Sequence, residues 1–162
     1  MQNAKDTFYI ALRSRLASVN PARTMTLRGV TRPAILVSEA EAPMAQPLLD
    51  AFALSWTGLE ADVQLPAILA QMTCEIQYAT AGTKANAGLD RGRTLEEMDC
   101  EVFHLLYPYS TQKMNYTTTP ATPMETFVFW SEPEFGPAVA LRDGLSRTVK
   151  VTVFAFQEQG EA

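Results

Sequence analysis

Residues 68–79 alternate with a period of two over their whole length. Ile68, Ala70, Met72, Cys74, Ile76 and Tyr78 fall on one side, and Leu69, Gln71, Thr73, Glu75 and Gln77 on the other. Successive side chains of a strand point to opposite faces, so this stretch predicts a long strand with one apolar and one mostly polar face. Such a strand belongs in an antiparallel sheet with one side buried. Residues 145–156 repeat the pattern, with Leu145, Val149, Val151 and Val153 on one face and Phe154 and Phe156 on the other.

Two helical periods accompany these strands. Phe8, Leu12 and Leu16 recur every four residues, which predicts a helix over 3–18, with Asn3 as N-cap and Asp6 in the first turn. Leu95, Met98, Val102, Leu105 and Leu106 form a second stripe. That helix is expected to begin near Leu89 or Thr94, with Thr94 and Glu97 as a capping box and Glu96, Glu97 and Glu101 facing water. Short strands are expected at 23–30, at 33–38, before Gly58, and at 125–131, with 39–50 as a connecting loop. The fold class is α+β: a mostly antiparallel twisted sheet with two main helices, 3–18 and 90–106, packed on one face. Residues 1–162 read as one domain.

The bulk numbers narrow the function. A formal net charge of -5 is poorly suited to a phosphate backbone, so no sequence-specific nucleic acid is expected as a partner. No apolar run is long enough to suggest a membrane span. Residues 1–20 carry Lys5, Asp6, Arg13 and Arg15 where a secretory signal would be apolar. The two cysteines, Cys74 and Cys100, make no disulfide framework and read as reduced, buried thiols of a cytosolic product.

Reaction chemistry is thinly represented. Cys100 and His104 are four apart and share a helix face, as zinc ligands can, but no second paired motif accompanies them. As a nucleophile, Cys100 would lie mid-helix beside Asp99 and Glu101, which disfavour a thiolate. Gly82-Thr83-Lys84 lacks the glycine spacing of a phosphate loop and reads as part of a mobile loop over 80–88. These readings predict no catalytic residue, no metal and no cofactor.

Binding residues are easier to nominate. Arg91 and Arg93 open the second helix, where cations oppose the dipole, and Lys84 lies in the loop before them. Either they serve an interface or they are solvated and paired with Asp90 or Glu96. Residues 107–124 hold Pro108, Pro120 and Pro123 and few aliphatics, and read as a long loop. Tyr107, Tyr109 and Tyr116 lie in it. They either cover its base or supply the contact area that binding surfaces draw from tyrosine.

The order of elements resembles a known family. An opening helix such as Phe8-Tyr-Ile-Ala-Leu-Arg-Ser-Arg-Leu16 is followed by a strand and loop such as Cys74-Glu-Ile-Gln-Tyr78 through Gly82. A helix such as Asp90-Arg-Gly-Arg93 through Leu106 comes next, then a closing strand over 147–154. The series is similar to the tail terminator, or tail completion, proteins of long-tailed bacteriophages. Long insertions at 39–66 and 107–124 depart from the simplest members. The resemblance implies a ring-forming virion protein, usually a hexamer, assembled in the bacterial cytoplasm and located at the tail neck. Its partners would be itself, the tail tube protein, head–tail connector or neck proteins, and a sheath protein where the tail contracts. The loops at 80–93 and 107–124 would then lie at subunit or tube contacts. A small α+β enzyme or ligand-binding domain is the alternative; it would need a lined pocket with convergent polar groups.

Overall fold

The structure, a computed structural model, describes residues 1–38, 47–63, 67–158 and 161. Most of the expected loop at 39–50 therefore lies outside the described residues. Helix α1 spans Gln2–Val19 and helix α2 spans Arg91–Leu106. The strands are β1 (Thr24–Leu27), β2 (Val30–Pro33), β3 (Ile35–Val37), β4 (Phe52–Asp62), β5 (Leu69–Thr80), β6 (Ser110–Asn115), β7 (Thr122–Trp130), β8 (Glu134–Phe135), β9 (Val139–Leu141) and β10 (Gly144–Phe156). β1 and β2 form a two-stranded sheet of their own. The other eight share one sheet in the order β3-β4-β5-β10-β7-β6, with β8 and β9 also paired to β10. All pairings between strands are antiparallel except β3 with β4. The fold is α+β, as the periodicities predict.

The centre of the sheet follows the two long alternating stretches. β5 and β10 pair along their full length, from Leu145 opposite Thr80 to Phe156 opposite Leu69. Val149, Val151 and Val153 lie opposite Ile76, Cys74 and Met72, and all six are buried. Ile68, expected on this face, precedes β5 and is exposed.

Both helices cover the side that these residues face. Phe8, Leu12 and Leu16 of α1 are fully buried, and each contributes about 1.5–3 kcal/mol by leaving water. Phe8 meets Trp130 edge-on at 5.1 Å and Trp56 at 5.8 Å, tying α1 to both halves of the sheet. The expected α2 stripe, Leu95, Met98, Val102, Leu105 and Leu106, is buried.

Several sequence expectations need correction. Asn3 is not the cap of α1: the helix starts one residue earlier, and Asn3 Oδ1 accepts from the Tyr116 amide at 3.2 Å. α2 starts at Arg91, so Thr94 lies inside it and donates back to the Asp90 and Arg91 carbonyls rather than forming a capping box. Glu101 does not face water; it pairs with Arg23 at 2.5 Å and accepts from Asn20. Cys74 is buried, where burial raises its thiol pKa, but Cys100 is exposed because it lies opposite the apolar stripe of α2. The strand expected to stop before Gly58 runs on to Asp62 through a register shift between Trp56 and Gly58. A side chain at Gly58 would crowd Thr73 Oγ1 at 3.2 Å.

The largest correction concerns 107–124. It is not a long loop: β6 and the start of β7 form a hairpin within it. The hairpin is tied to the body. Thr7 Oγ1 accepts from the Met114 amide at 3.0 Å. The Arg15 guanidinium donates to the carbonyls of Leu105, Pro108 and Ser110, and lies 5.2 Å over the Trp130 ring. Lys113 is wholly buried; its ammonium donates to the Phe156 carbonyl at 2.8 Å and pairs with Glu161. Burial pushes the Glu161 carboxyl up, but the Lys113 hydrogen bond and charge outweigh this and hold it below its usual range.

Candidate functional site

The structure scatters the six residues nominated as an interface. Arg91 and Arg93 lie in the first turn of α2, Lys84 lies in the turn before it, and Tyr107 and Tyr109 follow its other end. A helix of 16 residues is about 24 Å long, so the two groups form no single patch. Tyr116 is half-buried beside Asn3 and Thr7 of α1, and burial raises its phenol pKa. Tyr109 is half-buried, and its carbonyl accepts from the Trp130 amide at 3.0 Å. Tyr107 is exposed and meets Tyr109 edge-on at 6.0 Å. Lys84 and Arg93 are exposed, whereas Arg91 is half-buried and reaches the Ala81 carbonyl at 3.4 Å. Among the described residues, neither arginine pairs with Asp90 or Glu96.

The loop before α2 is closed on itself. Asp90 accepts from the Thr83 amide at 2.8 Å, the Thr83 hydroxyl at 2.6 Å and the Asn86 side chain at 2.8 Å. The Asn86 and Thr83 hydrogen bonds lower its pKa to about 2. Gly82, at φ +75°, permits this approach; a Cβ there would lie 2.6 Å from Asp90 Oδ1. The Thr83 amide that a phosphate loop would offer is thus already occupied. A shallow, open hollow beside it is lined by Asn86, Leu89, Asp90 and Arg93.

One polar cluster was missed by sequence reasoning. The Tyr78 hydroxyl donates to Asp99 at 2.5 Å, and Arg147 Nε lies 3.1 Å from the same carboxylate. Burial, then the Asp99 bond, pushes the Tyr78 phenol well above its ordinary pKa. These three residues come from β5, α2 and β10, 21 or more positions apart, so no local pattern announces them. Their groups face one another and pin α2 to the sheet. His104 is exposed, with Nδ1 2.7 Å from the Cys100 carbonyl. Among the described residues, no three His, Cys, Asp or Glu side chains converge as a metal site, and no helix is long and apolar enough to cross a membrane.

The prominent unfilled features are surfaces. On the side of the sheet away from the helices, Phe154 lies opposite Phe129 and Phe156 opposite Leu69. Phe127 and Phe129 are each 45% exposed, with ring centroids 6.1 Å apart, and Phe154 and Phe156 are half-buried. Four phenylalanines thus line one end of an open sheet face, whose remainder carries Thr73, Thr152 and the Lys150–Glu75 pair at 3.6 Å. The four rings are neighbours on one face rather than scattered singly over the surface.

Among the described residues, the margin of the sheet is open as well. β3 covers β4 only from Phe52 to Leu54, and residues 57–62 are exposed throughout. The β1–β2 ribbon leads into β3 at the other end, where Ile35 meets Phe52. Its base is fixed by the Ala34 amide on the Arg23 carbonyl and by Arg32 on Tyr9, while Arg28, Gly29 and Val30 at the tip are exposed.

No family model and no curated protein matches this chain.

Proposed function

We propose that this protein is a structural component of a long-tailed bacteriophage virion, a tail terminator. It assembles as a closed homo-oligomeric ring, a hexamer by the resemblance, caps the tail tube, and meets the head–tail connector or neck proteins, with a sheath protein as neighbour in a contractile tail. The observation that carries this reading is the open sheet face with its cluster of Phe127, Phe129, Phe154 and Phe156. A chain that buries one face of its sheet under two helices and leaves aromatics on the other is suited to repeated protein contacts. The order of elements that resembles tail terminators supports the same reading.

The alternative, a small enzyme or ligand-binding domain, has less support. The Asp90 carboxylate is engaged by Thr83 and Asn86, and Tyr78, Asp99 and Arg147 are engaged with one another. Electron microscopy of the purified protein tests the proposal. Closed rings with a central channel are expected; particles of a single copy, with no ring, would overturn it.

A further inference from the structure

The inference rests on the ring reading and names the contact that closes the ring. We infer that the β1–β2 ribbon of one copy adds to the free edge of β4 in the next copy, with Arg28 facing Glu60. Four observations lead there. Among the described residues, β4 beyond Leu54 has β5 on one side only, and its residues 57–62 are exposed. A row of backbone groups without a strand partner is a template for another strand.

The ribbon is a suitable occupant. It belongs to neither edge of the main sheet, and an isolated pair of strands is marginal in water. Leu27 lies opposite Val30 across the two-residue turn, so by the alternation of an antiparallel pair the Thr26 amide and carbonyl point away from β2. β1 has four residues, about 13 Å, and fits within the roughly 20 Å of exposed edge.

The tip residue points the same way. Arg28 has φ 49° and Gly29 φ 80°, a turn whose positions favour asparagine, aspartate and glycine. An arginine held there against its backbone preference suggests that its charge has a use outside the chain.

Charge then selects the pairing. The tip of the ribbon presents the exposed Arg28 and no acid, whereas the exposed stretch of β4 presents Glu60 and no cation. Edge-to-edge and ribbon-to-ribbon contacts would set like charges together, while ribbon-to-edge sets opposite charges together. The two features also lie at opposite ends of the same strand pair. β2 leads into β3 at the end where Ile35 meets Phe52, and the free edge extends from Leu54 towards Asp62. That polarity produces a head-to-tail contact, the kind that closes rings.

Sedimentation velocity over a concentration series tests this, using the full chain, Arg28→Glu, Glu60→Arg and the double variant. Both positions are exposed, so thermal melting of all four should coincide. Each single reversal should weaken assembly by about tenfold or more, and the double variant should restore most of it. Single variants that assemble like the parent, or a double variant no better than the singles, would overturn the ribbon–edge contact while leaving the ring intact. A parent chain that stays monomeric at every concentration would overturn the contact and the ring together.

Discussion

The molecule has two β-hairpins that are held differently. β6–β7 lies at the margin of the large sheet and is tied to the body through Thr7, Asn3, Arg15 and Lys113. β1–β2 is fixed at its base only, with exposed residues at its tip. The first hairpin recovers its ordering entropy from internal hydrogen bonds and burial. The second has little internal compensation. A shortage of aliphatic residues in the sequence therefore does not separate the two hairpins; the hydrogen bonds that tie each to the body do.

The largest loss of stability is expected at Lys113. Lys113→Ala leaves Glu161 with less compensation and should destabilise the fold by about 3–5 kcal/mol, read by urea unfolding. The Glu161 carboxyl is held below its usual range in the folded state. Its contribution is therefore present above the ordinary carboxylate pKa and is lost as pH falls through and below it. An unchanged midpoint would mean that the β6–β7 hairpin is not held as described. Arg15→Ala, which removes hydrogen bonds to three carbonyls, should cost about 1.5–3 kcal/mol by the same measurement.

The turn at 81–90 offers a smaller, local test. Asp90 has its pKa lowered to about 2, so its hold on Thr83 and Asn86 is complete above the usual carboxylate range and fades as pH drops towards that value. Hydrogen exchange at the Thr83 amide should quicken in Asp90→Ala at neutral pH while the β5 amides stay protected. Equal exchange in both proteins would show that the turn does not depend on this carboxylate. The smallest effect belongs to the ribbon. Arg28→Glu, which keeps a side chain at the same left-handed position, should shift the stability of the single copy by less than about 0.5 kcal/mol in either direction. A loss comparable to that of Arg15→Ala would erase the contrast between the hairpins.

What could be read in the sequence follows from how local each signal is. β5, β10 and the α2 stripe were legible because each buries one face, so period and burial agree. β4 was cut short because Gly58 resembles a stop, although Leu59-Glu60-Ala61-Asp62 continues to alternate after the register shift. β6 was hidden because its one inward cation, Lys113, is satisfied by Phe156 and Glu161, 43 and 48 residues away. The β1–β2 turn was overlooked because Arg28-Gly29 is an unusual pair for it. Of the nominated residues, Tyr107, Lys84 and Arg93 are exposed but lie apart, and the phenylalanine patch emerges only when β7 is laid beside β10.

A ring of identical copies, with the open sheet face and margin at its contacts, has a mass that is a fixed multiple of the chain's. The most direct measurement is the native mass of the purified 17.9 kDa chain across a concentration series. One discrete species near six times the chain mass is expected, persisting on dilution, with no ladder of larger sizes. A single-copy species at every concentration, or an open-ended series of filaments, would contradict it.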